Sequence, residues 1–222
     1  MAADSTIEPV LYSYWRSSSA YRVRIALNLK GIRYQQKFVH LVRDGGEQHR
    51  TEYRDINPLG LVPALVHGDL TIVQSVSICE YLEETFGGPG LLPSDPAGKA
   101  RVRSITQSIA SEIQPLNNLA VIQYLDEQMQ QDRNAINHWY KHWVERGFSA
   151  VEAWLSADAD SGFCHGDSPG LADCFLVPQV YNAERFSCDL QPYPHISRIT
   201  AHCRSLPAFE AAAPENQPDA DN

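Results

Sequence analysis

No run of apolar residues approaches the roughly 18–20 needed to cross a bilayer, and Met1 to Glu8 hold no basic segment leading into an apolar one. Neither a membrane span nor an export signal is therefore expected, and a cytoplasmic location is. An excess of basic residues is missing too. Eighteen Lys and Arg stand against 27 Asp and Glu, a net charge of −9, which is the wrong sign for neutralising nucleic-acid phosphates. Cysteine is sparse: the five are an odd number, widely spaced and without a C-x-x-C pair. That argues against a disulfide framework or a zinc cage and for reduced, buried thiols. His138 and His142 stand four apart on a predicted helix, but with no third ligand nearby no metal is expected. Internal repeats are absent. What remains is a chain of 222 residues, 43% hydrophobic and 20% charged, enough for one large or two small globular domains. An acidic chain still binds an anion where helix N-termini and local cations reverse the field.

Strand-like and helix-like patterns alternate through about residue 87. Strands are expected at 10–15 and 34–41, and a hairpin at 64–67 and 70–73 turning on Gly68 and Asp69. Helices are expected at 20–30, closed by Gly31, at 47–55 and at 75–85. This order resembles a thioredoxin-like half. Gly87 to Pro96 carries three prolines and three glycines, the composition of a linker. Beyond it the chain reads as helix at 97–130, interrupted by Pro115, then at 134–157, 171–186 and 196–205. Ile136, Trp139, Tyr140, Trp143, Val144, Val151, Trp154 and Leu155 form an apolar stripe at helical spacing. The expected fold is α/β: a thioredoxin-like domain over 8–87, an all-α domain over 97–210, and a mobile tail at 211–222, rich in proline and acids.

Chemistry is concentrated at Tyr14-Trp15-Arg16-Ser17-Ser18-Ser19-Ala20-Tyr21-Arg22-Val23-Arg24. Hydroxyls there occupy the turn between a strand and a helix, where backbone N–H groups and the positive helix end favour an anion. A thiol bound at that point would ionise below its ordinary value of roughly 8.5, and a serine hydroxyl donating to the sulfur adds to this. The same serines also read as simple helix caps, and spacing does not separate the two. Arg22 and Arg24, one turn in, read as partners of acids inside the fold. Asn57-Pro58-Leu59-Gly60-Leu61-Val62-Pro63 precedes a strand, where a cis proline is compatible with the turn. Gln74-Ser75 opens a helix, with Ser75 either its cap or a donor to a ligand carboxylate.

Together RSSSAYRVRIAL, RDGGEQ, NPLGLVPAL, QSVSICEYLEE, IQPLNNL and PQVYNAERF resemble the zeta class of glutathione transferases, over nearly the whole chain from Leu11 to about Pro207. The resemblance implies glutathione as cofactor and a cis–trans isomerase that converts maleylacetoacetate to fumarylacetoacetate by thiolate addition, rotation and elimination. Its alternatives are a maleylpyruvate isomerase, or a transferase or dehalogenase acting on small electrophiles. It implies that Ser17 stabilises the thiolate with Ser18 beside it, and that Ser19 lines the same cofactor turn. It assigns the peptide part of glutathione to Gln48, Val62, a cis Pro63, Gln74 and Ser75, with Gln114 and Asn118 reaching in from the helical domain. Arg185, and second to it Arg16, are expected to hold a substrate carboxylate. A homodimer is implied as well. The chain departs from the family pattern twice. Ser19 stands where a cysteine is usual, which removes any thiol chemistry of that residue. Gly170 replaces a threonine before the helix acid Asp173, a change that costs only a few tenths of a kcal/mol as a cap.

Overall fold

The computed structural model describes residues 6–158 and 161–220. The chain divides into two compact units, Met1–Leu91 with Ser205–Asn222, and Leu92–Arg204.

In the first unit β1 (Val10–Ser13), α1 (Ser18–Leu29), β2 (Gln35–Phe38), the one-turn α2 (Thr51–Arg54), β3 (Ala64–His67), β4 (Leu70–Val73) and α3 (Ser75–Thr85) follow in chain order. The sheet order is β2-β1-β3-β4, with β1 parallel to β2 and antiparallel to β3, which is antiparallel to β4. Tyr12 lies opposite Ala64, and Ala64 opposite Val73. By this register β1 and β4 run the same way and end at one sheet edge, where β3 begins. The starts of α1 and α3 and the Val62-Pro63 turn are thereby brought to that edge by topology alone.

β2 is shorter than the expected 34–41. The Val39 N–H still bonds to the Ser13 carbonyl, but at His40 the chain turns away, and its Nδ1 accepts from the N–H groups of Val42 and Arg43. The helix expected at 47–55 is two pieces, a 3-10 turn at Glu47–His49 and α2, because Arg50 between them is extended at ψ 148°.

The end of the chain departs further from expectation. The all-α domain expected over 97–210 stops at Arg204, and the segment after it returns to the first unit. There α9 (Pro207–Ala212) packs on α1, and the carbonyl of Ala212 accepts from Nε of Arg24 at 3.1 Å. The expected tail at 211–222 is tied down as far as it is described. Gln217 Nε2 donates to the carbonyls of Ala211 and Ala213, and Asp219 Oδ2 accepts the N–H of Trp15 at 2.9 Å. Residues 221 and 222 of that expectation lie outside the described residues.

The second unit is helical. Asp95 caps α4 (Pro96–Gln107) through the Gly98 N–H. The helix runs on as a π-helical stretch, Ser108–Ile113, and is broken into a 3-10 turn at Pro115–Asn117, the interruption expected of a residue with no N–H to give. Asn118 then caps α5 (Leu119–Gln123) by accepting from Ala120 N–H at 3.0 Å. The buried face of α6 (Arg133–Ser156) is Ile136, Tyr140, Val144, Phe148, Val151 and Leu155. Of the predicted stripe, Trp154 is exposed and Trp139 and Trp143 are half-buried, so the tryptophans flank this face rather than form it. α7 (Leu171–Arg185) is the buried centre of the unit, and α8 (Pro194–Arg204) packs on it. None of the five cysteines is in a disulfide, and all are buried.

Candidate active site

At the sheet edge, Ser17 is the N-cap of α1, extended at φ −72°, ψ 118°, and its Oγ accepts the Ala20 N–H at 3.3 Å. The capping role raised by the sequence is therefore real, and it leaves the hydroxyl proton free: an oxygen engaged as acceptor here still has its one O–H to donate. Ser18 is buried, while Ser19, Ser17 and Arg16 are half-buried. The Arg16 guanidinium sits over the Trp15 ring, 5.0 Å from its centre.

The turn is held from behind. Arg24, fully buried, donates from Nη1 to Ser13 Oγ and the Tyr14 carbonyl, and from Nη2 to the Trp15 carbonyl at 2.9 Å. These bonds hold the Tyr14 and Trp15 carbonyls, which fix the approach to Ser17.

The Val62-Pro63 peptide bond is cis. Ahead of it, the Leu61 carbonyl accepts from Tyr53 Oη at 2.6 Å and from Asn57 Nδ2 at 2.7 Å, while Asn57 Oδ1 accepts the Leu59 N–H. Val62, in a cluster with Tyr14, Trp15, Val39 and Tyr53, uses neither its N–H nor its C=O in the backbone bonds among the described residues. Tyr53 and Asn57 were not singled out in the sequence, although an Asn-Pro-x-Gly run is the signature of a turn closed by the Asn side chain. Asn57→Ala removes both of its bonds at a buried position, so unfolding by urea is expected to show a loss of about 1–3 kcal/mol. Ligand affinity at Val62 is expected to fall with it.

Gln48 is 5% exposed. Its Nε2 donates to the Leu41 carbonyl at 3.1 Å and contacts His49 Nε2, while its Oε1 is buried without a partner. Gly46, at φ 99°, closes on this amide, and a Cβ at that position would overlap it. The side chain is thus fixed by its neighbours with one acceptor left over.

Gln74 is exposed at φ 71°, a conformation that L-residues other than glycine seldom adopt, and such strain concentrates at ligand sites. It is the N-cap of α3, without a side-chain cap bond. Ser75 follows, 5% exposed, its Oγ accepting from Arg22 Nη1 at 3.2 Å. Two helix N-termini, each led by a serine, therefore start from the same edge.

Gln114, Asn118 and Arg185 belong to the second unit. Gln114 is half-buried, and Asn118 is committed through Oδ1 to capping α5. Arg185, at the end of α7, donates to Asn182 Oδ1 at 3.4 Å and lies over the Phe186 ring, which stacks on Tyr140 at 3.6 Å. It lines a cleft of about 580 Å³ with Asp126, Arg133, Asn137, Lys141 and Ser187 among its walls. Arg133 and Lys141, which the sequence reading passed over, give this cleft three cations against one acid. Their spacing of eight on one helix, with Asn137 between, was the available signal. Among the described residues no three His, Cys, Asp or Glu assemble into a metal-holding group, and no helix is long and apolar enough to cross a membrane.

Residues 11–90 match the family model for the glutathione S-transferase N-terminal domain, and 141–207 that for the C-terminal domain. A probable maleylacetoacetate isomerase of Vibrio cholerae is 48% identical, covering 95% of this chain and 98% of its own. The holo structure of a maleyl pyruvate isomerase, described as a bacterial zeta-class glutathione S-transferase, superposes with a TM-score of 0.92 at 44% identity, over 96% of this chain and all of the other. A maleylacetoacetate isomerase from Anaeromyxobacter dehalogenans, solved with dicarboxyethyl glutathione and citrate in its active site, gives 0.84 at 41% identity over 97% of this chain and 95% of the other. With the fold, the serine-led helix starts and these relatives in agreement, the chain belongs to the zeta class of the glutathione transferase family.

Proposed function

We propose that this protein is a glutathione-dependent cis–trans isomerase of maleylacetoacetate. The observation that carries the reading is Ser17: a cap whose oxygen is occupied by Ala20 N–H and whose proton is left to donate, at the start of α1. When bound, glutathione supplies a sulfur nucleophile that adds to the activated double bond, permits rotation and departs, splitting one hard step into two easier ones.

The residues present fit such a peptide. Val62 has an unclaimed N–H and C=O for an extended backbone, and Gln48 Oε1 is a buried acceptor that lacks a donor. Ser75 and the first N–H groups of α3 suit a carboxylate. Ser17 donates to the sulfur anion, and Ser18 and Ser19 lend their N–H groups and the helix dipole to the same charge. Arg185 is assigned a substrate carboxylate, a role supported by its place in a cleft with two further cations, and Arg16 the second such role. Gln114 and Asn118 keep the cofactor-binding roles that the family resemblance gives them. That a relative holds dicarboxyethyl glutathione supports the addition chemistry.

Isomerisation of maleylacetoacetate, followed with and without glutathione, tests the reading; turnover independent of the thiol overturns it. Because a relative is named for maleylpyruvate, rates on both maleyl substrates and on a chlorinated acid rank the alternatives. The reading includes a cytoplasmic homodimer, for which light scattering should return twice the chain mass.

A further inference from the structure

Arg22 lies within α1, is 1% exposed, and donates from Nη1 to the Ser75 hydroxyl at 3.2 Å. A guanidinium has donors and no acceptor. In the Arg22–Ser75 pair, Ser75 Oγ is therefore the acceptor, and its single proton is turned away from Arg22. Ser75 is the first residue of α3, where the leading N–H groups of a helix find no intrahelical acceptors. A hydroxyl that accepts from a cation is polarised into a better donor. Burial pushes the Arg22 pKa down only to about 10, and burial pushes the neighbouring Cys79 thiol up to about 12. At neutral pH the pair is thus a guanidinium beside a neutral thiol, so the charge behind Ser75 persists.

We infer that Arg22 is a positioning residue that aims the Ser75 proton at a carboxylate seated on the N-terminus of α3. The ligand group is the α-carboxylate of the γ-glutamyl end of glutathione, so the inference rests on the glutathione reading. Arg22 does not touch the ligand in this arrangement. It removes the alternative orientations of one hydroxyl and places a positive charge behind it, inside a medium that screens poorly.

The test compares equilibrium binding of glutathione with that of 4-aminobutanoyl-cysteinylglycine, which lacks this carboxylate alone, by titration calorimetry. Wild type is expected to prefer glutathione. Arg22→Met should cut that preference about tenfold while moving the affinity for the analogue less than about twofold. In a Ser75→Ala background, Arg22→Met should change the preference no further, because the hydroxyl through which it acts is gone. A purely structural Arg22 would weaken both thiols alike, and that result overturns the inference. Arg22→Lys keeps the charge and loses the fixed fork, and is expected to fall between wild type and Arg22→Met. If Arg22→Met does not fold, an unchanged preference in Arg22→Lys is the overturning result. Binding of neither thiol by wild type would overturn the glutathione reading and this inference with it; binding with unaltered preference overturns this inference alone.

Discussion

Ser17→Ala is expected to lower kcat for isomerisation about 10²–10³-fold, the effect of losing one donor to a developing or bound anion. The sulfhydryl of bound glutathione should then titrate closer to its value in free solution, read from thiolate absorbance across pH. The loss of fold stability is expected to be smaller, about 1 kcal/mol, because the only recorded side-chain bond removed is the cap to Ala20 N–H. This separation of a large rate effect from a small stability effect distinguishes a catalytic hydroxyl from a mere cap. Ser19→Ala, two residues further on and free of that cap, should cost far less in rate. A Ser17→Ala enzyme with the wild-type rate would remove the residue from the mechanism.

Asp173→Ala is expected to cost about 3–5 kcal/mol of stability, since two buried N–H donors lose a charged acceptor. Asp173 Oδ1 accepts from Cys164 N–H and Oδ2 from Gly170 N–H, both at 2.9 Å, and Cys203 Sγ donates to Oδ1. The carboxylate thus joins the turn at 164–170 to the start of α7 and to α8. Burial raises its pKa above the ordinary 3.8, although the N–H groups pull the other way. A raised carboxylate pKa means the folded state holds a proton that the unfolded state has already released. Its contribution is fully present below 3.8 and is lost as pH rises through the folded value. The stability of wild type minus that of Asp173→Asn should therefore fall as pH climbs through the acid range; a flat difference would show that the carboxylate titrates alike in both states.

Much of this was legible in the sequence because local signals and tertiary needs coincide. The hairpin at 64–67 and 70–73 and the helix at 75–85 have the bounds the pattern predicts, fixed by Gly68 and by the Gln74-Ser75 start. Ser17, Gln74 and Ser75 were visible because strand-to-helix junctions carry their own capping signature. Less visible was whatever depends on distant partners. Arg22 and Arg24 look alike, two apart on a helix, yet one meets Ser75 Oγ and the other Ser13 Oγ and a row of backbone carbonyls. Nothing local distinguishes them. Likewise 211–220 reads as polar and proline-rich, and composition is blind to a single aspartate finding one backbone N–H 204 residues away.

The return of 205–220 to the first unit bears on how the protein is made. A ribosome releases the strands and helices of the first ninety residues long before it supplies the Ala212 carbonyl for Arg24 or the Asp219 carboxylate for Trp15. The nascent first unit therefore waits, incomplete behind its serine turn, while the whole helical unit is synthesised. Translation must run 204 residues beyond Trp15 before the turn has its full set of partners, so a premature stop after the helical unit strikes the beginning of the fold.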